Sequence, residues 1–106
     1  MGRPTVVVAE AIAAEGIETL ASTADVVDMV GRPRDELLAA MPRASAIIVR
    51  SATQVDREVI EAAPELAVIG RAGIGVDNID IDAATEHGVM VVNAPNANTI
   101  SAAEHT

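Results

Sequence analysis

One stretch of the sequence combines glycines with an arginine in a way that is typical of a ligand-binding turn. The stretch, GRAGIGVDN, runs from Gly70 to Asn78 and directly follows the apolar run LAVI at 66–69. Glycines at positions 70, 73 and 75 allow the backbone to turn sharply and to approach a ligand closely. Arg71 favours an anion as that ligand, because a guanidinium group donates paired hydrogen bonds to a carboxylate or phosphate.

Polar residues follow two other apolar runs, and they are further candidates for binding an anion. After the run at 46–49 come Arg50, Ser51 and Thr53, and after the run at 89–92 come Asn93, Asn96 and Asn98. Ligands bind at the carboxyl ends of the strands in an open parallel sheet, so these side chains and the amides of residues 73–75 predict a carboxylate or phosphate site. Two alternatives remain open: the arginines form structural ion pairs, and Asn98 is a loop or cap residue.

Composition excludes several other kinds of site. The chain has no cysteine, and all seven basic residues are arginine, which excludes thiol and lysine Schiff-base chemistry. A formal net charge of −9 makes nucleic acid and anionic membranes poor partners. His87 and His105 have no second ligand at a useful spacing, so we expect helix-surface positions and no metal site. No apolar run has the length of a signal peptide or a membrane span, and we therefore expect a cytoplasmic protein.

The glycine pair at 73 and 75 resembles part of a dinucleotide-binding fingerprint, but the surroundings do not fit it. Asn78 stands where the fingerprint needs its third glycine, and the next strand ends at Asn93 instead of at an acidic residue that could bind a ribose. Asp77 has no partner that would make it a base, so we interpret it as structural. The residues alone therefore predict a binding lobe without a nucleophile, a catalytic base or a metal.

The order of elements that must position these residues is βαβαβαβαβ, followed by the start of another helix. The strands are predicted at 5–9, 25–30, 45–49, 66–69 and 89–92, and the helices at 11–21, 33–41, 53–63, 80–87 and from 101 onwards. Capping signals support the helices: Asp80 and Gly88 bound one of them, and capping boxes begin at Thr53 and Ser101. Four strands are apolar throughout, which predicts an α/β fold with a parallel sheet covered on both faces. The aspartates of the strand at 25–30 predict an edge position.

Four segments together resemble the D-2-hydroxyacid dehydrogenase family, in order and spacing, over essentially the whole chain. They are VRSAT at 49–53, GRAGIGVDNID at 70–80, VNAPNANT at 92–99 and SAAEH at 101–105. The run R-A-G-x-G-V-D-N joined to N-A-P is specific for this family. The combination of RSAT with SAAE favours its phosphoglycerate branch over the glyoxylate, lactate and formate enzymes.

The resemblance implies a protein of two lobes, of which this chain matches the first segment only. It implies a flavodoxin-like, doubly wound five-stranded sheet of order 2-1-3-4-5, here without the family's returning C-terminal helix. Residues 1–98 would be an incomplete substrate-binding lobe, and residues 99–106 the start of the helix that leads to an absent NAD-binding domain. The implied substrate contacts are Arg50, Ser51 and Asn98, with Arg71 at the substrate cleft and the amides of Gly73 and Ile74 on the carboxylate.

The reaction implied by this resemblance is the NAD-linked oxidation of 3-phosphoglycerate to 3-phosphohydroxypyruvate, which leads into serine synthesis. The family's G-x-G-x-x-G and its catalytic Arg, Glu and His lie beyond residue 106, so we expect this chain alone to be inactive and to bind no NAD. The expected partner is the small anionic substrate. We also expect a homo-oligomer, with self-association through the surface that the missing helix leaves. The alternatives are a stand-alone flavodoxin-like anion-binding or interaction module, and a lobe of another D-2-hydroxyacid dehydrogenase.

Overall fold

Parallel strands joined by short helices make up the part of the chain that the computed structural model describes, which is residues 4–11, 18–19, 21–50, 52–72 and 78–94. The strands are Thr5–Val8 (β1), Asp25–Asp28 (β2), Ala46–Val49 (β3), Val68–Ala72 (β4) and Met90–Ala94 (β5). Within these ranges, α-helices span Arg34–Ala40 (α1), Arg57–Glu61 (α2) and Ile81–Glu86 (α3), and a 3-10 turn spans Met41–Arg43. Residues 18, 19 and 21 are also helical, as predicted for 11–21. Within the described ranges, every helix is too short or too polar to cross a lipid bilayer.

The order of the strands in the sheet is β2-β1-β3-β4-β5, and all neighbouring pairs are parallel. This confirms the predicted fold class and strand order, with β2 at an edge. The chain leaves β1 toward β2 on one side and then continues to β3 on the other side, so the direction of winding reverses between β1 and β3. The carboxyl ends of strands at such a reversal form a crevice in which ligands bind.

The buried hydrophobic side chains of the described residues are Val, Ile, Leu, Ala and Met, and the alternation of side chains along each strand divides them between the two faces of the sheet. Val7, Ile47 and Ile69 belong to a large cluster that also contains buried residues of α1, α2 and α3. Val6 and Val8 point the other way and form a smaller cluster with Ala24 and Ile48. The three helices therefore cover one face of the sheet. Because the strands are parallel, the carboxyl ends of β1, β3 and β4 lie at a single edge of the sheet, which we call the carboxyl edge.

Helices α2 and α3 each begin at an aspartate cap. The side chain of Asp80 accepts a 2.9 Å hydrogen bond from the amide of Ala83, as predicted, and Gly88 ends the helix with a φ of 71°. The predicted capping box at Thr53 is wrong, because Asp56 caps α2 and accepts from the amide of Val59 at 3.2 Å. The cause is a tertiary one: the backbone of Val55 pairs with residues 78–80, which holds it extended before the helix.

Strand β4 lies further along the chain than its predicted range of 66–69. Gly70 pairs with Ile48 of β3 and with Val92 of β5, and Arg71 pairs one residue further along the same strands. Glycine is a poor strand former, so the local pattern at Gly70 indicated that the strand ends there, whereas pairing with both neighbouring strands continues it. Arg71 therefore lies inside a central strand, not in the turn after it.

Candidate functional site

The carboxyl edge is organised around the side chain of Asn78. Its Nδ2 donates to the carbonyl oxygen of Arg50 at 2.7 Å and to that of Thr53 at 2.6 Å. Its Oδ1 accepts from Nε of Arg71 at 2.7 Å. Asn78 is 6% exposed and Arg71 is 7% exposed. One amide side chain thus joins β4 to the residues that follow β3.

The chemistry of a primary amide explains why an asparagine can occupy this position. A buried guanidinium group is costly unless acceptors replace the water that it has lost, and the amide oxygen provides one. Two backbone carbonyl groups lie on the other side of Asn78, and these need donors. Only a side chain that has an acceptor and two N–H donors satisfies all three contacts, which a carboxylate cannot do.

Glu10 holds the same segment of chain through its amides, whereas Asn78 holds it through its carbonyl groups. The amide of Ala9 donates to the carbonyl oxygen of Ile48 at 2.9 Å, which keeps the chain beside β3 beyond the end of β1. Oε1 of Glu10 accepts from the amides of Arg50 at 2.7 Å and Thr53 at 2.9 Å, and Oε2 accepts from the amide of Ala52 at 3.2 Å. Partial burial acts to raise the pKa of Glu10, but the hydrogen bonds outweigh it and hold the pKa below its ordinary value of 4.5.

Residues 50, 52 and 53, which we call the Arg50 loop, are therefore held through their backbone. Glu10 accepts from three of its amides, and Asn78 donates to two of its carbonyl groups. The side chain of Arg50 is exposed at the carboxyl edge, while the backbone on both sides of its Cα is hydrogen-bonded. A cation on a fixed backbone is suited to binding a carboxylate or phosphate, because little order must be imposed when the ligand arrives.

An open groove of about 260 Å³ lies next to the Arg50 loop. Its lining residues are Ala9, Met29, Arg32, Arg34, Leu37, Ala52, Thr53 and Gln54. Arg34 is already paired with two carboxylates, Asp56 at 2.7 Å and Glu58 at 2.9 Å, and Arg32 lies 3.7 Å from Glu36. Because carboxylates offset both arginines, the groove lacks the excess of positive charge that an anion site needs.

The structure describes some of the predicted site residues and not others. Arg50 follows β3 at the carboxyl edge, as expected, and Arg71 lies in the neighbouring strand, where Asn78 connects the two. His87 is exposed and lies 4.0 Å from Glu61, which agrees with the predicted helix-surface position. Of the remaining candidates, Thr53 lies in the Arg50 loop and Asn93 is exposed in β5. The others lie outside the described residues, as does the capping box at 101: Ser51, Gly73, Ile74, Gly75, Asp77, Asn96, Asn98 and His105.

Sequence reasoning missed Glu10 altogether and did not find the role of Asn78. The signal for Glu10 was present, because it follows the first apolar strand just as Arg50 follows the third. The residues that follow β3, β4 and β5 were considered because ligands bind at the carboxyl ends of parallel strands. Considering the residues after β1 in the same way would have placed an acidic residue beside Arg50. No local signal exists for Asn78, whose partners lie seven, 25 and 28 residues away in the sequence.

Comparisons with known proteins agree with this architecture. The family model for the catalytic domain of D-isomer specific 2-hydroxyacid dehydrogenases matches residues 6–106. D-3-phosphoglycerate dehydrogenase of Mycobacterium tuberculosis is 51% identical over 105 residues, which make up 99% of this chain and 20% of that protein. The PH0520 protein of Pyrococcus horikoshii superposes with a TM-score of 0.81 at 37% identity, over 87% of this chain and 28% of its own.

A more distant structure shows likeness of fold alone. The NAD⁺-bound 3-phosphoglycerate dehydrogenase of Entamoeba histolytica superposes with a TM-score of 0.71 at 24% identity, over 88% of this chain and 33% of its own. The chain thus spans about a fifth of the length of the mycobacterial relative and a third or less of the two structures.

Replacing Asn78 by alanine should destabilise the fold strongly. The variant Asn78→Ala removes an acceptor from buried Arg71 and the donors from two carbonyl groups, and we expect a loss of about 3 kcal/mol in the free energy of unfolding. Urea unfolding measures this, with Asn93→Ala as the matched control at an exposed asparagine. A loss of less than about 0.5 kcal/mol, the usual range for surface changes, would contradict the role of Asn78.

The lowered pKa of Glu10 predicts how stability depends on pH. The ionised carboxylate stabilises the fold above the unfolded pKa of 4.5, and this contribution is lost as the pH falls through the lower, folded value. The free energy of unfolding of the chain should therefore exceed that of Glu10→Gln by a constant amount above about pH 6, and the difference should shrink below pH 4.5. Urea unfolding at a series of pH values measures the difference. If the difference in the free energy of unfolding stays the same throughout the acid range, the pKa of Glu10 is not lowered by folding.

Proposed function

The chain belongs to the D-isomer specific 2-hydroxyacid dehydrogenase family, and we propose that it is the substrate-binding part of an NAD-dependent D-3-phosphoglycerate dehydrogenase. The observation that carries this proposal is the exposed guanidinium of Arg50 on a loop whose backbone is fixed from both sides. The name of the mycobacterial relative supports the phosphoglycerate branch, as do the RSAT and SAAE segments.

The proposed reaction divides between this chain and the rest of a longer enzyme. The secondary alcohol of 3-phosphoglycerate loses a hydride and a proton, and NAD⁺, when bound, accepts the hydride. This chain binds and orients the anionic groups of the substrate. We assign the binding of NAD and the removal of the proton to parts of the enzyme outside this chain, because the candidate residues here are donors for anions and include no base.

The proposed contacts follow from the donor chemistry of the carboxyl edge. Arg50, Ser51 and Asn98 bind the substrate or its phosphate, and the amides of Gly73 and Ile74 hold the carboxylate beside Arg71. Since the chain carries a net charge of −9, its overall field repels such a substrate. Binding must therefore come from charge-assisted hydrogen bonds at close range.

A chimeric enzyme tests the proposal directly. The segment of the Mycobacterium tuberculosis enzyme that matches this chain is replaced by the chain, and the NAD-dependent oxidation of 3-phosphoglycerate, D-lactate and glycolate is measured. We expect kcat/KM for 3-phosphoglycerate to exceed the other values at least about tenfold, because only this substrate offers a phosphate to the arginine. Preference for an unphosphorylated acid would indicate another branch of the family. A folded chimera that oxidises none of them would favour a stand-alone binding module.

Within the chimera, Arg50→Ala should raise KM for 3-phosphoglycerate about tenfold or more, because a charge-assisted contact to the substrate is lost. KM for NAD should stay unchanged. The matched control is Arg43→Ala, which removes the same charge from an exposed position before β3, at the opposite edge of the sheet. Equal effects of the two substitutions would mean that only net charge matters, and would count against a specific contact.

A further inference from the structure

The carboxylate of Glu10 occupies a position that has the chemistry of an anion-binding nest. Amides of Arg50, Ala52 and Thr53 converge on its two oxygens at 2.7, 3.2 and 2.9 Å. Convergent backbone amides of this kind also bind free carboxylates and phosphates in proteins. The nest lies in the Arg50 loop itself, so the chain fills with its own side chain a site that could otherwise attract the substrate.

The bonds of Glu10 and Asn78 act on the two peptide groups that flank the Cα of Arg50. The amide nitrogen of Arg50 donates to Glu10, and its carbonyl oxygen accepts from Asn78. Fixing both peptide groups restricts φ and ψ of Arg50, and with them the direction in which its side chain leaves the backbone. The two contacts come from different elements, one after β1 and the other after β4.

The carboxylate of Glu10 lies at an edge that we propose to bind an anion, and its negative charge opposes that binding. A negative charge near a site for an anion repels the ligand, and this repulsion is a cost in binding free energy. The three amides that donate to Glu10 spread its charge onto the backbone. The presence of Glu10 at this edge, in spite of that repulsion, is explained if Glu10 positions the guanidinium of Arg50 for the substrate.

We propose that Glu10 is a positioning residue for the substrate: it fixes the backbone of the Arg50 loop so that the guanidinium of Arg50 meets the anion, and it keeps the amides of the loop occupied. Glu10 itself does not touch the substrate. This inference rests on the proposed function and adds a residue to its site.

The test compares Glu10→Ala with Glu65→Ala in the chimeric enzyme. Glu65 is exposed in the turn before β4, so its substitution removes the same charge and size without affecting the Arg50 loop. For Glu10→Ala we expect KM for 3-phosphoglycerate to rise about tenfold or more while KM for NAD stays unchanged, because three hydrogen bonds to a charged group are lost. A general loss of stability would lower the amount of active enzyme and would not raise one KM alone.

Two further measurements keep the test decisive. Formate should partly restore KM of Glu10→Ala by filling the nest, whereas chloride at the same ionic strength should not, and formate should not improve the unsubstituted or Glu65→Ala enzyme. If Glu10→Ala does not fold, Glu10→Gln replaces it, because the glutamine oxygen can still accept from Arg50 and Thr53 but leaves Ala52 without an acceptor. We then expect a smaller rise in the same KM.

The outcomes separate this inference from the proposed function. An unsubstituted chimera without activity would refute the proposed function and the inference together. An active chimera in which Glu10 variants keep the unsubstituted KM, or in which the two KM values rise equally, would overturn the role of Glu10 alone.

Discussion

Arg71 belongs to the central strand β4 and is buried. The arrangement of the carboxyl edge depends on the hydrogen bond that its guanidinium group donates to Asn78. Asn78 provides an acceptor to Nε and at the same time donates to two carbonyl groups of the Arg50 loop. Because a buried charge without acceptors costs several kcal/mol, the position of Asn78 is strongly constrained, and the loop is constrained with it. The same interaction therefore satisfies a charge in the core and fixes the segment that carries the exposed arginine.

The topology of the sheet places the second constraint beside the first. Since β1 and β3 are neighbours at the reversal of winding, the residue after β1 lies next to the loop after β3, and Glu10 reaches its amides from there. The amides of the loop donate to Glu10, which follows β1, and two of its carbonyl groups accept from Asn78, which follows β4. Such a loop has few conformations left to lose when an anion binds, which favours affinity without additional contacts.

Much of the fold could be predicted from the sequence, because local patterns report strands and caps. Apolar runs predicted four strands, and the Asp-flanked valines at 25–30 predicted the edge strand. Asp80 and Gly88 predicted the bounds of α3, and the family resemblance implied the strand order. The extension of β4 through Arg71 and the late start of α2 could not be predicted, since pairing with distant strands and with residues 78–80 overrides local preference. Within the site, Arg50 was predictable from its place after a strand. Glu10 was predictable in the same way, from its place after β1, although it was missed. Asn78 was not predictable, because it lies 28 residues from Arg50 with no local signal for the contact.

We propose that the protein holds the Arg50 loop in place so that the guanidinium of Arg50 can bind a substrate anion. A crystal structure of the active chimera with 3-phosphoglycerate tests it most directly. We expect an anionic group of the substrate within about 3 Å of the guanidinium of Arg50, with Glu10 still bound to the three loop amides. A substrate that has displaced Glu10 from the nest, or that binds away from the carboxyl edge, would contradict it.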